Sequence, residues 1–274
     1  MPELPEVETV ARGLRGSLLG RTITGATVGW SRTIGRPAMD EFMARVAGRR
    51  VILVTRRGKY VLIGLDRGHL VIHLKMSGRL QVTPAGEPPD PYVRVLFDLD
   101  DGRQLRFQDT RKFGRVYLVD DPTEVTAGLG PEPLAEDFDL HCFRQLLDRR
   151  RGRLKPLLLN QKFLAGLGNI YADEALFAAG LHPLRTVDSL TPDEQMRLYE
   201  AIRTILGQAV DSRGTTLDDK GYTDVAGQAG AYQDQIAVYG RAGKPCLRCH
   251  SPIERIVIGG RSAHFCPCCQ GKRS

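Results

Sequence analysis

The sequence of 274 residues contains no apolar run that approaches the ~20 residues a membrane-spanning helix needs. Near its start, where a secretory signal peptide would be positively charged, it carries Glu3, Glu6 and Glu8. It also shows no internal repeat. From these absences we expect a cytoplasmic protein that is neither secreted nor inserted in a membrane.

Cysteine is scarce over most of the chain, because five of the six cysteines lie in its last 29 residues. This crowding is unlike a disulfide scaffold and points to a metal site in a reducing compartment. Lys and Arg number 39 against 32 Asp and Glu, which gives a net charge of +7 and a pI near 9.2. That pI fits a nucleic-acid-binding protein, although charge alone is equally compatible with a basic protein that has no polyanionic partner.

The chain is long enough for one large or two medium domains, and 42% of its residues are hydrophobic. Between residues 20 and 120, short β-branched and aromatic runs alternate with turn signals at 66–68 and 101–102, which predicts a β-sandwich or barrel. A first helix is predicted from Pro5 onward and a second over 40–46. The predicted strands cover residues 51–55, 60–65, 70–74, 93–99, 105–108 and 115–119.

The segment 121–137 has no periodicity and is rich in Pro, Gly and acidic residues, which indicates a linker. Beyond it the pattern becomes helical, over 138–150, 154–161, 169–179 and 192–210. Thr191 and Glu194 predict a capping box at the start of the last of these helices. Residues 211–236, rich in Gly, Asp and Gln, predict a mobile loop.

The motif with the most specific spacing is a pair of CxxC knuckles separated by sixteen residues. This spacing is typical of a four-cysteine Zn²⁺ site with Cys246, Cys249, Cys266 and Cys269 as ligands. Four thiolates leave no open coordination position, so one structural zinc ion is expected. Cys268 could compete with Cys269, although the spacing favours Cys269. Between the knuckles the sequence predicts a β-hairpin that turns at 259–260 and presents Arg261 and His264.

The first six residues, MPELPE, carry the strongest chemical signal. If Met1 is removed, the chain begins with the secondary amine of Pro2. An α-amino group has a pKa of about 7.7–8, so near neutral pH part of it is unprotonated and can attack an aldehyde-like carbon to form an iminium ion. Glu3 and Glu6 lie at the start of the first helix. Helix capping is the commoner role for such carboxylates, and these residues alone do not decide between capping and catalysis.

Several segments together resemble one family, the bacterial formamidopyrimidine-DNA glycosylases, which excise 8-oxoguanine and ring-opened purines. The start MPELPEVETV and the stretch GLGNIYADE are the most specific of these segments. The resemblance runs from end to end of the chain. The matching segments are residues 1–10, 56–60, 73–80, 108–115, 129–134, 159–183, 214–217, 238–246 and 259–270.

The resemblance implies an α+β fold in four parts. These are an N-terminal β-sandwich domain with flanking helices over 1–120, a linker over 121–137, a helical helix–two-turn–helix DNA-binding domain over 138–235, and a zinc-finger β-hairpin over 236–270. It also implies a bifunctional DNA glycosylase/AP lyase of base excision repair. Such an enzyme acts as a monomer on duplex DNA that contains damaged bases or abasic sites, and therefore associates with the bacterial nucleoid.

The resemblance further implies roles for individual residues. Pro2 would attack C1′ of the damaged nucleoside, Glu3 would act in general acid–base catalysis, and Lys59 would contact phosphate and aid β,δ-elimination. Arg261 would hold the phosphates that flank the lesion. The residues expected to fill the hole left by the flipped base are Met76, Arg111 and Phe113, and those expected to bind DNA from the helical domain are Arg150, Lys155 and Asn169.

Considered without the family, each of these residues also has an ordinary interpretation. Lys59 would be a solvated turn lysine, Met76 and Phe113 would be core residues, and the arginine run at 149–153 would be a solvated helix face. Two departures from the family pattern concern Asp90 with Tyr92, where the family often has histidines, and Asp218, where a basic residue is common. Two alternatives therefore stay open, a sister enzyme that prefers oxidised pyrimidines and a non-catalytic zinc DNA-binding protein.

Overall fold

A computed structural model describes residues 1–148, 150–217 and 221–271. The chain forms two compact units, and each consists of two segments. The first unit contains Met1–Gly128 and Ser212–Gln233, and the second contains Leu129–Asp211 and Asp234–Ser274. Within the described ranges, no helix is both long and apolar enough to cross a membrane.

The first unit is a β-sandwich. Its elements are α1 (Leu4–Leu18), β1 (Thr22–Val28), β2 (Ile34–Arg36), α2 (Met39–Val46), β3 (Arg49–Arg57), β4 (Tyr60–Leu65), β5 (His69–His73), β6 (Gly78–Pro84), β7 (Val93–Leu99), β8 (Arg103–Asp109), β9 (Arg115–Val119) and α3 (Thr123–Thr126). Its nine described strands follow the order β2-β9-β5-β4-β3-β1-β7-β8-β6, and a short pairing of β1 with β3 joins its two layers. The layers and helix α1 share one core, which includes Leu14, Val54, Ile63, Phe97 and Phe107.

The expected sandwich with flanking helices is confirmed, but three of its strands carried no clear sequence signal. Strand β1 is interrupted at Gly25, where its pairing with β7 shifts register. Strand β2 has only three residues. Strand β6 begins at Gly78 and ends at Pro84, and it lies at an edge of the sheet, the position in which proline is tolerated.

Residues 212–217 and 221–233 belong to the first unit, although the sequence predicts a mobile loop over 211–236. Tyr222 is buried within the core of the sandwich. Val225 packs on α1 so closely that a Cβ atom at Gly13 would collide with its Cγ2 atom. The predicted division of the chain into four parts stays a prediction, because the packing shows only to which unit this segment belongs. Asp218, one of the departures noted above, lies outside the described residues.

The second unit is helical and ends in a small hairpin. It contains α4 (Leu140–Leu147), α5 (Leu154–Leu159), α6 (Asn169–Ala179), α7 (Pro192–Asp211), β10 (Glu254–Ile258) and β11 (Arg261–Phe265). The predicted capping box is present, since the Thr191 N–H donates to Glu194 Oε2 (2.9 Å) and the Glu194 N–H donates to Thr191 Oγ1 (3.3 Å). Helix α4 is shorter than expected and begins after Asp139, whose side chain accepts the Cys142 N–H.

The end of the expected linker is held by the second unit. Arg203 on α7 donates to the carbonyl oxygens of Pro133, Ala135 and Phe138. The Gly130 N–H donates to the carbonyl oxygen of Gln161 (2.8 Å). These bonds explain why the division between the two units falls at Gly128, within the segment that lacks periodicity.

Gly78 lies where the loop between β5 and β6 ends, and the chain is tightly packed around it. A Cβ atom there would collide with the carbonyl oxygen of Leu74 and lie 2.9 Å from the ring of Phe107. We therefore expect Gly78→Ala to lower the free energy of unfolding by about 1–3 kcal/mol, as overpacking does, in urea titrations. Gly86→Ala is the control, because nothing lies within 4 Å of its Cβ position. Equal stability of the two variants would contradict the tight approach at Gly78.

Candidate functional site

The N-terminal residues are buried against the first unit. Pro2 and Glu3 are buried, and helix α1 begins immediately after them. The Glu3 N–H donates to Glu6 Oε2 (2.7 Å), and Glu6 Oε1 accepts the Thr215 N–H (2.7 Å). The Glu6 carboxylate thus joins the start of the chain to the GTTL segment, 209 residues away in sequence. Glu3 is thus both the N-cap residue of α1 and the neighbour of Pro2, so capping does not exclude a catalytic role for it.

Lys59 occupies the two-residue turn of the β3–β4 hairpin. Gly58 supplies the positive φ of 55° that such a tight turn requires. Lys59 is only 5% exposed, so it is not the solvated turn lysine of the ordinary interpretation. The hairpin is held against α1 by an ion pair between Arg56 Nε and Glu8 Oε2 (2.8 Å), with both side chains largely buried. Helix α1 therefore positions both the N-terminus and the lysine turn.

His73, which the sequence analysis did not single out, lies next to this turn. It pairs with Tyr60 across the β4–β5 ladder, and their rings meet edge to face at 4.6 Å. Its Nδ1 atom accepts the Lys75 N–H (2.9 Å), which requires that nitrogen to be unprotonated. Burial, together with the charges of Lys75 and Lys59, lowers the pKa of His73 to about 3. In the sequence, the available signal was that His73 begins the segment 73–80, one of those that resemble the family.

Met76, Arg111 and Phe113 lie on two neighbouring loops, which we call the 74–78 loop and the 110–114 loop. Met76 and Arg111 line one open cleft of about 350 Å³, together with Asp90 and Tyr92. Phe113 is 50% exposed, and the Arg111 guanidinium lies 5.1 Å from the centre of its ring. These side chains are therefore presented at the surface and are not core residues. Asp90 and Tyr92, which depart from the family pattern, thus border the same cleft.

In the second unit, α5, two turns and α6 form the expected helix–turns–helix arrangement. Gly166 adopts a φ of 91°, and its N–H donates to the Gln161 side chain (3.0 Å). The Gln161 amide in turn donates to the carbonyl oxygens of Leu159 and Leu167. Asn169 is the first residue of α6, where free N–H groups attract anions. Its Nδ2 atom donates to Ser262 Oγ at 3.3 Å.

Lys155 lies in the interior and not on the surface where we expected it. It is fully buried, and its ammonium donates to Asp173 Oδ1 (2.5 Å) and to the carbonyl oxygen of Ser262. Asp173 Oδ2 also accepts the His264 N–H (2.9 Å). A buried ammonium needs such partners, and they connect α5, α6 and β11. Lys155 therefore does not contribute a surface charge.

Arg150 and Arg261, in contrast, are exposed. Arg261 begins β11 directly after the Gly259-Gly260 turn, whose φ angles of 57° and 75° match the predicted hairpin turn. Arg149, the first residue of the arginine run, lies outside the described residues.

Glu174 joins the segment before the zinc hairpin to α6. Its two carboxylate oxygens accept the N–H groups of Ala237 (2.8 Å), Val238 (3.0 Å) and Tyr239 (2.8 Å). The aromatic ring of Tyr239 meets His264 edge to face at 5.1 Å. Burial raises the pKa of Glu174, while the three N–H groups oppose that rise.

The four predicted zinc ligands come together, with all their sulfur atoms within 4.8 Å of one another. A tetrahedral site with Zn–S bonds of about 2.3 Å needs sulfur separations of roughly 3.8 Å. The separation of 3.9 Å between Cys246 and Cys269 matches this value, and that of 3.3 Å between Cys249 and Cys266 is shorter. Cys268 is exposed and lies outside this cluster. The four thiolates hold one structural zinc ion.

Sequence profiles of three known domains match consecutive parts of the chain. The formamidopyrimidine-DNA glycosylase N-terminal domain matches residues 1–116, and the H2TH domain of the same glycosylases matches residues 129–220. The zinc finger found in these glycosylases and in isoleucyl-tRNA synthetase matches residues 243–271. Together, these matches define a zinc-finger DNA repair glycosylase.

Similar proteins match over the whole length. The formamidopyrimidine-DNA glycosylase of Herpetosiphon aurantiacus is 48% identical over 98% of this chain and 100% of its own, and that of Chloroflexus aggregans is 49% identical over 98% of each chain. The crystal structure of MutM (Fpg) from Thermus thermophilus has a TM-score of 0.90 at 44% identity, covering both chains fully. Lactococcus lactis Fpg bound to DNA containing an abasic site has a TM-score of 0.91 at 33% identity, over 98% of this chain and 100% of its own. The chain belongs to the formamidopyrimidine-DNA glycosylase family and is a DNA glycosylase of base excision repair.

The neutral state of His73 should make stability depend on pH. Its folded-state pKa of about 3 lies below the ordinary 6.5, so the unfolded chain binds the extra proton as the pH falls between these values. Stability is then lost at about 1.4 kcal/mol per pH unit. From about pH 7 to about pH 5 the wild type should lose about 2 kcal/mol more than His73→Gln, measured by urea unfolding. His141→Gln, at an exposed position, is the control, and its free energy of unfolding should depend on pH as that of the wild type does. Parallel losses in wild type and His73→Gln would contradict a buried neutral His73.

The cysteine cluster makes a prediction about metal content. Cys249→Ser removes one of four thiolates, so we expect the purified protein to lose most of its zinc and to bind duplex DNA more weakly, because the hairpin that carries Arg261 loses its support. Cys268→Ser should keep one zinc per chain and wild-type affinity. Zinc is measured by elemental analysis and affinity by fluorescence anisotropy. Wild-type affinity in a zinc-free Cys249→Ser protein would show that the module is dispensable.

Proposed function

We propose that this enzyme removes oxidised purines, 8-oxoguanine and formamidopyrimidines, from duplex DNA through a covalent intermediate on Pro2. The observation that carries the proposal is the pairing of a buried Pro2 with a buried Glu3, directly before a helix whose Glu6 fixes the backbone of Glu3. A non-catalytic DNA-binding protein would not need these residues together with a buried Lys59. One of the similar solved structures is a complex of Lactococcus lactis Fpg with DNA containing Fapy-dG, which supports this substrate class.

The chemistry starts once Met1 is removed and the Pro2 nitrogen is a free secondary amine. Its lone pair attacks C1′ of the damaged nucleoside while the bond from C1′ to the base breaks, and the departing base takes up the proton that the amine nitrogen loses. Glu3 donates a proton to the sugar ring oxygen, so the ring opens and an iminium ion joins Pro2 to C1′. Loss of a proton from C2′ expels the 3′ phosphate, and a second elimination expels the 5′ phosphate. Water finally releases the sugar fragment and regenerates the amine.

Lys59 and His73 fit the elimination steps. The lysine ammonium stabilises the departing phosphate, and the neutral His73 adds no further positive charge beside Lys59 and Lys75. Arg111 bonds the partner base that flipping leaves unpaired, while Met76 and Phe113 replace the lost stacking. These roles require the side chains of Met76, Arg111 and Phe113 to lie at the surface, where they are accessible to DNA.

The second unit grips the sugar–phosphate backbone. Arg150 and Arg261 contribute exposed charges, and Asn169 contributes its amide together with the N–H groups that begin α6. The Asn169 Oδ1 atom is buried and accepts no hydrogen bond from the described residues. Lys155 acts indirectly, by holding the carbonyl oxygen of Ser262 beside Arg261.

We propose that the enzyme works in the bacterial cytoplasm and associates with the nucleoid through DNA. Contacts to phosphate dominate this binding and carry no sequence information, so affinity should fall steeply as salt rises. Such binding suits an enzyme that must search undamaged DNA for rare lesions.

The nucleophile is tested by Pro2→Gly. We expect excision of 8-oxoguanine to fall by about two orders of magnitude or more, the scale of losing a positioned catalytic group, with binding to the lesion duplex largely kept. Pro5→Ala is the matched control, since it changes a proline of the same helix start and leaves the amine intact. Borohydride should trap wild type and Pro5→Ala on an abasic duplex. Unchanged turnover of Pro2→Gly would refute the assignment, and a wild type that never crosslinks would refute the reaction class.

A further inference from the structure

Asp109 is a buried carboxylate with an unusual set of partners. It ends β8 and is 1% exposed. Its Oδ1 atom accepts the Ser77 hydroxyl (2.5 Å) and the Arg111 N–H (3.1 Å), and its Oδ2 atom accepts the Gly114 N–H (2.7 Å). One side chain thus bonds both the 74–78 loop and the 110–114 loop.

Ser77 completes the link between the two loops. Besides donating to Asp109, its Oγ atom accepts the Arg111 N–H at 3.2 Å. Ser77 follows Met76 directly, and the bonded Arg111 amide belongs to one of the residues proposed to enter the DNA. Asp109 itself is fixed to β7, since its N–H donates to the Tyr92 carbonyl oxygen (2.9 Å) and its carbonyl oxygen accepts Arg94 Nε (2.8 Å).

The backbones of both loops are held in conformations they would not adopt alone. Lys75 has a φ of 55° and Lys112 a φ of 60°, values that are uncommon for residues other than glycine. Lys75 directly precedes Met76, and Lys112 directly precedes Phe113. Such conformations persist only where their surroundings enforce them. The common support is the ring of Phe107, with which a Cβ atom at either Gly78 or Gly114 would collide.

We propose that Asp109 is a positioning residue that couples the two loops, so that Met76 and the Arg111–Phe113 pair enter DNA together. The proposal rests on the void-filling roles given under Proposed function. Coupling matters because the hole left by a flipped base must be filled as the base leaves the stack; a loop that moved alone would fill half of it. Asp109 touches neither substrate nor Pro2 and acts through the loops alone.

The chain contains its own reporter for one loop. Trp30 is the only tryptophan, and the Lys112 ammonium lies 4.1 Å from the centre of its ring. Its fluorescence therefore reports movement of the 110–114 loop. In stopped-flow mixing with an 8-oxoguanine duplex, Met76→Ala changes the 74–78 loop and leaves the contact between Lys112 and Trp30 intact. If the loops are coupled, this substitution slows the Trp30 phase.

The decisive variants are Ser77→Ala, which removes the link between the loops, and Asp109→Asn, which places an amide donor against N–H groups. We expect each to slow excision of 8-oxoguanine about tenfold, the size of losing one hydrogen bond to a charged group. Borohydride trapping on a preformed abasic site should change less, because no base has to be extruded. In the Ser77→Ala background, Met76→Ala should no longer slow the Trp30 phase. Asp98→Asn is the control, since that carboxylate bonds Gln104 within the same sheet and touches neither loop.

The possible outcomes distinguish failure of the loop coupling from failure of the proposed function. Wild type that fails to crosslink to an abasic duplex overturns the proposed function itself. Wild type that crosslinks, together with a Ser77→Ala protein in which Met76→Ala still slows the Trp30 phase, overturns the coupling alone. Equal slowing of excision and of trapping in both variants would show a merely structural role and would also overturn it. Should Asp109→Asn fail to fold, Ser77→Ala carries the test, because it removes one surface-proximal hydroxyl.

Discussion

Buried carboxylates that accept backbone N–H groups hold the functional parts of this enzyme in place. Glu6 holds the start of the chain and the GTTL segment, Asp109 holds the two loops beside the cleft, and Glu174 holds the segment before the zinc hairpin. A buried charge is costly unless it is fully hydrogen-bonded, so each carboxylate dictates the path of the backbone around it. Pro2, Met76 and Phe113 each lie one position away from a residue held by Glu6 or Asp109.

This arrangement makes capping and catalysis compatible at the N-terminus, where the sequence left the choice between them open. A capping carboxylate and a catalytic one need the same thing, a fixed position at the start of a helix. Glu6 caps and thereby immobilises the backbone of Glu3, which lies next to Pro2. The same hydrogen bonds therefore stabilise the start of the helix and position Glu3 beside Pro2.

Local patterns in the sequence were enough to predict much of the fold and of the site. The Gly259-Gly260 hairpin, helix α6 and the Thr191–Glu194 capping box depend on residues close together in sequence, and the cysteine spacing identified the zinc site. Distant partners could not be found in this way. The Glu6–Thr215 bond joins residues 209 positions apart. Asp109 could not be singled out from the sequence, because its importance comes from its hydrogen bond to Ser77, which lies on the connection between two other strands.

Burial also separates basic residues that the sequence cannot distinguish. Lys155 and Arg150 belong to the same basic stretch, yet one is fully buried against Asp173 and the other is exposed. An unpaired ammonium in the interior would be strongly destabilising, so the position of Asp173 on α6 decides the role of Lys155 on α5. A count of basic residues therefore overstates the positive charge that is exposed to phosphate. It also misses buried pairs, such as Lys155 with Asp173, that position the backbone beside the exposed residues. In this enzyme buried, hydrogen-bonded charges fix the backbone, and from that backbone the exposed side chains of Arg261 and Phe113 extend toward the DNA that they are proposed to contact.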